Sequence, residues 1–305
     1  MYRTLPNDEK QLVVVSSCRY RTERLTGVIM NMFRQFAVCR GSRRLRISPL
    51  VLGAPYSSMG RATQIRRVEK WGDVEDFFDK GLPCIVTNGT LDWPAVEKWK
   101  KIEHLKKKYG DVYVPVEVGR NYVDSEEHQV LFGAFLDYVV KKGDPGFDDG
   151  TLPVLYLAQH DLFEQIPDLK KDIVTPQPCT ALGNGDLYST RAWISGAGTT
   201  SNAHTDPCHN FYCQTVGHKY FRIFFPETED DMYPHKDHFR KNTSTISDVL
   251  GSKEELYEGG FERFVTQVSA QEATLGPGDA LYIPKKMWHF ATSKDVSIGV
   301  NFWWL

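Results

Sequence analysis

The spacing of apolar positions along the chain changes about half-way, and this change predicts where helices give way to strands. Within residues 71–141 most apolar positions recur every three or four residues, as in 96–105, which is typical of amphipathic helices. A clear exception is 112–118, where valine occupies every second position and predicts a strand. From residue 193 onward, β-branched and aromatic runs predict short strands, interrupted by one helical insert near 246–256.

Turn and capping residues predict the limits of the N-terminal elements. A helix from Trp71 to Lys80 has Asp73 available as N-cap and Gly81 as its stop. Further predicted elements are an apolar strand closed by a turn, a buried helix, a second strand, and two short turns broken at a proline: 82–87, 130–140, 154–158 and 161–171. Helices first and strands afterwards predict a mainly β or α+β barrel that is buttressed by its N-terminal elements.

The stretch 193–225 contains His204 and Asp206, which are separated by a single residue. Side chains two positions apart on an extended strand point to one face, so an imidazole and a carboxylate would converge there. Such a pair is common by chance at protein surfaces. With a third ligand it becomes the two-histidine, one-carboxylate set of non-haem Fe(II) oxygenases.

The candidate third ligand is His289, in the segment LGPGDALYIPKKMWHF. A Gly-Pro-Gly-Asp turn at 276–279 is expected to launch the strand Ala280 to Pro284, which then delivers this histidine. We expect two antiparallel strands that face each other across a barrel. One strand would carry the His-x-Asp pair and the other would carry His289.

Composition narrows the class of protein. The chain has 305 residues, of which 41% are hydrophobic and 25% charged, and a formal net charge of -2. This is an ordinary globular composition, with room for one large domain or two small ones. No run of about 18 apolar residues occurs, so a membrane span is not expected. Six cysteines lie scattered without a Cys-x-x-Cys pair, which favours reduced thiols in a nuclear or cytoplasmic protein.

Charge is distributed unevenly. Residues 1–70 carry 14 basic and 4 acidic side chains, whereas residues 71–305 carry 23 basic and 35 acidic ones. An arginine-rich leader of this kind could be a nucleic-acid-binding arm, a transit peptide or a poorly ordered extension. We predict a poorly ordered extension over 1–64, followed by one folded domain over 65–305 with an N-terminal helical buttress.

Four separated motifs together resemble the JmjC-domain 2-oxoglutarate oxygenases. They are YLAQHDLFEQIP from residue 156, HTDPCHNFYCQTVGHKYFRIFFP from residue 204, LGPGDALYIPKKMWHF from residue 275, and the closing VNFWWL. The likeness is closest to the subgroup of lysine-specific demethylase 8, which is also described as an arginyl hydroxylase. It covers about residues 68–305 and implies a double-stranded β-helix, the jelly-roll barrel of cupins.

The resemblance implies a set of cofactors and the residues that hold them. Fe(II) would be bound by His204, Asp206 and His289, with 2-oxoglutarate and molecular oxygen as cosubstrates. Lys219 matches the family's cation for the far carboxylate of 2-oxoglutarate, although a lysine at a strand end is more often exposed. The positions that match hydrogen-bonding partners of the cosubstrate are Tyr156, Ser201 and Asn210.

For the substrate, the resemblance nominates Glu117, Gln159, Trp193 and Trp303. A carboxylate that grips a guanidinium, with indole rings stacked on it, would suit arginine. From the residues alone, Glu117 could equally face solvent, and Trp303 could be a core residue. His128 follows an acidic pair where the family often has an aromatic residue, so a different substrate preference is possible.

Three functions therefore stay open. The first is hydroxylation of a protein side chain, with arginine favoured, and the second is demethylation of histone methyl-lysine at the same iron site. The third is a metal-binding cupin without catalysis that serves as an interaction module. The expected partner is a protein or peptide, with histones, ribosomal and chromatin-associated proteins as candidates. A nucleic-acid contact would involve the basic N-terminus.

Overall fold

Two β-sheets dominate the computed structural model, which describes residues 62–119, 126–142 and 152–305. The strands of these regions are β1 Thr63–Gln64, β2 Arg67–Val68, β3 Cys84–Val86, β4 Tyr113–Gly119, β5 Glu126–Leu131, β6 Val154–His160, β7 Leu187–Ser195, β8 Thr200–His204, β9 His209–Val216, β10 Lys219–Pro226, β11 Val268–Leu275, β12 Ala280–Ile283, β13 Trp288–Ser293 and β14 Ser297–Trp304. The predicted extension, residues 1–64, lies outside the described residues except for its last three.

Short helices fill the connections. Those of the described regions are α1 Val74–Lys80, α2 Pro94–Lys98, α3 Ile102–Tyr109, α4 Phe132–Lys141, α5 Leu162–Gln165, α6 Pro167–Lys170, α7 Pro178–Ala181, α8 Lys253–Glu258 and α9 Glu262–Gln267. None of the helices in these regions is long and apolar enough to cross a membrane.

The strand order is that of a jelly roll. One sheet runs β1-β11-β10-β13-β8 and the other runs β2-β3-β12-β9-β14-β7-β6-β4-β5. Neighbours are antiparallel apart from β1 with β11 and β2 with β3, which are parallel. Residues of both sheets share one buried cluster, which includes Tyr212, Leu281, Phe221 and Ile223. The sheets therefore pack face to face around a core, as predicted from the run of strands.

Successive side chains of β10 point alternately into two different hydrophobic cores. Phe221 and Ile223 point between the sheets, whereas Tyr220 and Phe224 belong to a second cluster on the outer face of the smaller sheet. The insert that follows β10, residues 227–267, covers that face with buried residues such as Phe264. Lys219 has the parity of Phe221, so it faces the space between the sheets.

Several predicted elements have different limits in the structure. The helix expected from Trp71 is a 3₁₀ turn followed by α1, and the Asp73 carboxylate accepts a hydrogen bond from the Lys70 backbone N–H rather than capping the helix. Gly81 ends α1 in the left-handed conformation, with φ 62°, as predicted. The apolar pattern over 96–105 spans α2 and α3, which are separate because the chain turns between them.

A close approach at Gly299 gives the first prediction. A Cβ at this position would overlap the hydroxyl and ring of Tyr212, which is buried in the core and cannot move away. Gly299→Ala should therefore lower the free energy of unfolding by about 1–3 kcal/mol, the usual cost of overpacking. Urea unfolding measures this change.

Gly72→Ala is the matched control for Gly299→Ala, because nothing lies within 4 Å of a Cβ at Gly72. It should leave the unfolding midpoint almost unchanged. Equal midpoints for the two variants would contradict this account of the Gly299 contact.

Candidate metal centre and cosubstrate pocket

His204 and His289 are neighbours across two adjacent strands. His204 is the last residue of β8, His289 is the second residue of β13, and the two are direct partners in the antiparallel register. Their ring centroids are 4.3 Å apart. The expectation of strands facing each other across the barrel was therefore wrong, and so was that of His289 following directly from β12. A turn after β12 takes the chain from the larger sheet to the smaller one, where β13 pairs with β8.

An irregularity in β8 brings two site residues to one face. Ala291 pairs with Ser201, whereas His289 pairs with His204, so β8 holds one residue more than β13 over this interval. Such a bulge re-aims the side chains beyond it. Ser201 and His204 therefore both point between the sheets, although strict alternation would place them on opposite faces.

Asp206 lies beyond the end of β8, so the parity that predicted its direction does not apply. Its position depends on hydrogen bonds of the loop. The Thr205 N–H donates to the Asn242 carbonyl over 2.9 Å, and Asn242 Nδ2 donates back to the Thr205 carbonyl over 3.0 Å. The Lys286 N–H donates to the Asp206 carbonyl over 2.7 Å. The insert and the β12–β13 turn thus hold this loop from two sides.

Both imidazoles present the same nitrogen to the site. His204 Nδ1 lies 2.7 Å from the Asn202 carbonyl and His289 Nδ1 lies 2.9 Å from the Met287 carbonyl. A carbonyl only accepts hydrogen bonds, so each Nδ1 carries the proton and each Nε2 is left with a lone pair. This is the tautomer that a metal ion requires.

The donor atoms of the three residues fit one metal ion. They all lie within 4.8 Å of one another. The Asp206 carboxylate lies 3.9 Å from His204 Nε2 and 3.8 Å from His289 Nε2 at its nearest oxygens. Two ligands at about 2.1 Å from one ion are separated by about 3–4 Å, so little movement is needed. Burial, followed by the nearby His204, lowers the pKa of His289 to about 4, which keeps this imidazole neutral and able to bind a metal at pH 7.

The Asp206 carboxylate is oriented by a chain of side chains that the sequence analysis did not anticipate. Asn210 Nδ2 and Trp303 Nε1 both donate to Asp206 Oδ2, over 3.2 and 3.1 Å. Asn301 Nδ2 donates to Asn210 Oδ1 over 2.6 Å. Asn210 and Trp303, predicted as cosubstrate and substrate residues, thus contact the metal-binding carboxylate. Asn301 could have been found from the sequence, because it lies two residues before Trp303 on β14 and therefore points to the same face.

Lys219 is a buried lysine surrounded by aromatic side chains. Only 3% of the residue is exposed, and no described carboxylate lies within ion-pair distance of it. Its Nζ donates to Tyr156 Oη over 3.0 Å and lies 5.0–5.4 Å from the ring centroids of Tyr212, Tyr156 and Trp193. Burial lowers the pKa of Lys219 to about 7. A buried lysine in this state favours an incoming anion, which would replace its lost hydration.

Further polar groups of the pocket also fit a carboxylate. Tyr156 Oη lies 3.3 Å from Ser201 Oγ, so Lys219, Tyr156 and Ser201 form one buried group. Trp193 Nε1 is buried without a hydrogen-bond partner and lies on the ring next to Lys219. Unpaired buried donors beside a cation indicate that the pocket is built for a ligand with acceptor oxygens.

The predicted substrate residues lie on the larger sheet, on β4, β6, β7 and β14. Glu117 is the register partner of Tyr156, so it lies on the same face of the larger sheet. Gln159 is half-buried at an irregularity of β6 and has a φ of 51°, which is uncommon for a residue other than glycine. Trp193 and Trp303 meet edge to face, with centroids 6.5 Å apart.

Comparison with known proteins identifies the fold family. The model of the cupin-like domain matches residues 73–305. Lysine-specific demethylase JMJ30 of Arabidopsis thaliana is 36% identical over 253 residues, which cover 80% of this chain and 56% of that protein. The chain belongs to the cupin-like family of JmjC domains. This confirms the predicted family and the jelly-roll fold.

Two further similar proteins are JmjC proteins of animals. Jumonji C domain-containing protein 5 of Drosophila melanogaster is 37% identical over 271 residues, covering 87% of this chain and 65% of that protein. Lysine-specific demethylase 8 of Danio rerio is 38% identical over 237 residues, covering 75% and 54%. The JmjC chain therefore spans between half and two thirds of the length of these relatives.

Asn242 gives the second prediction, because it makes both hydrogen bonds to the residue between two ligands of this JmjC site. Asn242→Ala keeps the backbone bond and removes the donated one. It should weaken binding of a divalent metal by about three- to tenfold, the equivalent of one hydrogen bond. Titration of the apo-protein with Co²⁺, followed by its visible absorption, measures this affinity without catalysis.

Thr245→Ala is the matched control for Asn242→Ala. Thr245 Oγ1 donates to the Tyr233 carbonyl within the insert and does not contact β8. The control should bind Co²⁺ like the wild type. Equal Co²⁺ affinities for wild type and Asn242→Ala would show that Asn242 does not position the ligands.

Proposed function

We propose that this chain is an Fe(II)- and 2-oxoglutarate-dependent oxygenase that hydroxylates a protein side chain, with arginine as the favoured target. The observation that carries the proposal is a His-Asp-His set in the same barrel as a buried lysine without a counter-ion. A metal-binding module without catalysis would need the three ligands but would have no use for a buried cation, because an unpaired buried charge costs stability.

Each predicted site residue has a task in this reaction. Bound Fe(II) and 2-oxoglutarate supply the oxidation, in which oxygen is consumed, succinate and carbon dioxide form, and a C–H bond is hydroxylated. His204, Asp206 and His289 hold the ion from one side and leave the opposite positions open. Lys219 and Tyr156 bind the far carboxylate of the cosubstrate, helped by Ser201. Asn210 and Trp303 fix the orientation of Asp206.

An arginine target is supported by a carboxylate and two indole rings on the larger sheet. Glu117 lies on the face that carries Tyr156, Trp193 contacts Tyr156, and Trp303 meets Trp193 edge to face. A carboxylate suits a guanidinium as a bidentate partner, and indole rings suit its flat faces. Gln159 is placed to accept a further hydrogen bond from the substrate.

A second function uses the same iron site. Two of the relatives carry the name lysine-specific demethylase, which favours removal of a methyl group from methyl-lysine, as on histone H3. Hydroxylation of an N-methyl carbon gives an unstable hemiaminal that releases formaldehyde. Mass spectrometry separates the two outcomes, because hydroxylation adds about 16 mass units and demethylation removes about 14. The partner in either case is a protein or peptide.

The proposed location is the nucleus, the cytoplasm or both. The four described cysteines, Cys84, Cys179, Cys208 and Cys213, are all buried free thiols. Free thiols are usual in these reducing compartments. Contact of the basic N-terminus with nucleic acid remains a prediction from its charge.

Turnover of 2-oxoglutarate tests the proposal directly. Purified protein supplied with Fe(II) should convert 2-oxoglutarate to succinate, and His204→Ala should abolish the conversion because one ligand of three is lost. His104→Ala is the control, since His104 is an exposed residue of α3. Undiminished succinate formation by His204→Ala would refute the assignment.

Lys219 predicts proton uptake on cosubstrate binding. In the free site its pKa is lowered to about 7 by burial, whereas a bound carboxylate favours the charged form. Binding above pH 7 must therefore take up a proton, and the affinity for 2-oxoglutarate should fall by about tenfold per pH unit as pH rises beyond 7. Calorimetry in buffers of different ionisation enthalpy measures this uptake.

Lys219→Met separates stability from binding. The variant should lose the stabilisation by 2-oxoglutarate but unfold at a higher temperature than wild type without ligand, since an apolar side chain carries no desolvation penalty. The increase in stability of the variant over the wild type is complete below pH 7. It shrinks as pH rises toward 10.5, above which the lysine is neutral in both folded and unfolded states. A lower melting temperature at pH 7 would contradict the account of a destabilising buried cation.

A further inference from the structure

The strands β4 and β5 extend the larger sheet beyond the cosubstrate pocket and present one face to solvent. Glu117 pairs with Glu127, and Tyr113 pairs with Leu131. Glu117 also pairs with Tyr156 of β6, so this face continues into the pocket that contains Lys219. We call the residues Tyr113, Glu117, Glu127, Gln129 and Leu131 the β4–β5 face.

The two sides of these strands differ in burial. Val114, Val116 and Val130 point to the other side and are at most 6% exposed. On the β4–β5 face, Tyr113 is 59% exposed and Leu131 is 38% exposed. Two large apolar side chains that are direct cross-strand neighbours and both reach solvent form a small apolar surface. Such a surface next to an active site is a candidate for binding part of a substrate.

The acidic end of the face favours a cation. Glu117 and Glu127 lie directly opposite, where Cβ atoms are about 5 Å apart, so two carboxylates are neighbours on this face. Neither β4 nor β5 contains lysine or arginine, and Glu127 forms no ion pair with a described residue. His160 is close enough to interact with Glu127, but burial lowers the pKa of His160 and keeps it neutral at pH 7. Glu127 therefore remains a negative charge on this face.

The spacing of Tyr113 and Glu117 along β4 indicates how many residues of a substrate peptide the β4–β5 face can contact. Tyr113 and Glu117 are four residues apart on one strand, a distance of about 13 Å. An extended peptide covers this distance with four residues, and residues i and i+4 of a strand point to the same side. A target side chain near Glu117 would therefore place the residue four positions away over Tyr113 and Leu131.

We propose that the β4–β5 face docks the extended segment of the protein substrate next to its target residue. Glu127, directly opposite Glu117, strengthens the preference for a basic target side chain, and Tyr113 with Leu131 receives an apolar side chain four residues from the target. This inference rests on the proposed function for the identity of the ligand as a substrate. It adds a preference for particular amino acids around the target residue of the substrate, which the metal centre and the cosubstrate pocket do not supply.

Peptide binding without turnover tests the docking. The probes are fluorescent peptides with a central arginine and a single leucine two, four or six residues away on either side, in a glycine-serine background. Affinities are measured by fluorescence anisotropy with protein that holds Mn²⁺ and 2-oxoglutarate, under nitrogen. Leucine at four residues on one side should bind about fivefold tighter than at the other positions, as expected for a partly buried leucine.

Matched variants assign the effect to the face. Leu131→Ser should remove the advantage of leucine at four residues, whereas Leu91→Ser, at another exposed leucine, should keep it. Glu127→Gln should weaken binding of the basic peptide by about threefold and reduce its dependence on NaCl. Glu126→Gln is its control, because Glu126 has the opposite parity and lies 3.5 Å from His128. This control should leave the affinity unchanged.

Equal affinity for every leucine position, or a leucine advantage that survives Leu131→Ser, would overturn the proposal. If the face instead joined two copies of the chain, Leu131→Ser would dissociate a dimer in sedimentation and leave peptide affinity unchanged, which also overturns it. Succinate formation without peptide is measured on the same preparations. Loss of that turnover in the wild type would count against the oxygenase and not against the docking face.

Discussion

The antiparallel register between β8 and β13 is the constraint on which the site depends. It makes His204 and His289 direct partners, so two imidazoles meet at the end of one sheet without any loop having to place them. Backbone carbonyls two residues before each histidine then fix the tautomer. The bulge in β8 allows Ser201 to join the same interior, where it contacts the cosubstrate group rather than the outer core.

Asp206 has a different kind of support, because it stands outside the strand ladder. Its backbone is held by the insert and by the turn before β13, and its carboxylate is held by Asn210 and Trp303. The position of the Asp206 carboxylate therefore depends on the packing of several distant segments. This dependence explains why residues of the insert, far from the chemistry in sequence, bear on the geometry of the metal centre.

Burying the ammonium group of Lys219 without an ion-pair partner among the described residues costs the fold stability. Lowering its pKa from 10.5 to about 7 corresponds to about 4–5 kcal/mol, an order of magnitude for the penalty of burying the charge. Aromatic rings around the ammonium recover part of this cost. Farther out on the larger sheet, Glu117 and Glu127 place two carboxylates side by side on neighbouring strands.

The sequence by itself determined the chemistry and the class of fold. The types and order of His204, Asp206 and His289, with the late run of strands, predicted a metal-binding barrel, because ligand identity and hydrophobic period are local properties. The resemblance of four separated motifs added the JmjC family and nominated Lys219. The limits of α1, α2 and α3 were less accessible, since tertiary contacts decide where a short helix stops.

Only the tertiary structure decided how these residues meet. Alternation predicted that Asp206 shares a face with His204 and gave no reason for Ser201 to do so. In the structure β8 ends before Asp206, so alternation does not apply to it, and the bulge in β8 brings Ser201 to the face of His204. The contact of Trp303 with Asp206, the role of Asn242 and the exposed β4–β5 face depend on which strands become neighbours. Pairing of distant strands is set by the packing of the whole barrel, and a single strand's pattern carries no record of its partner.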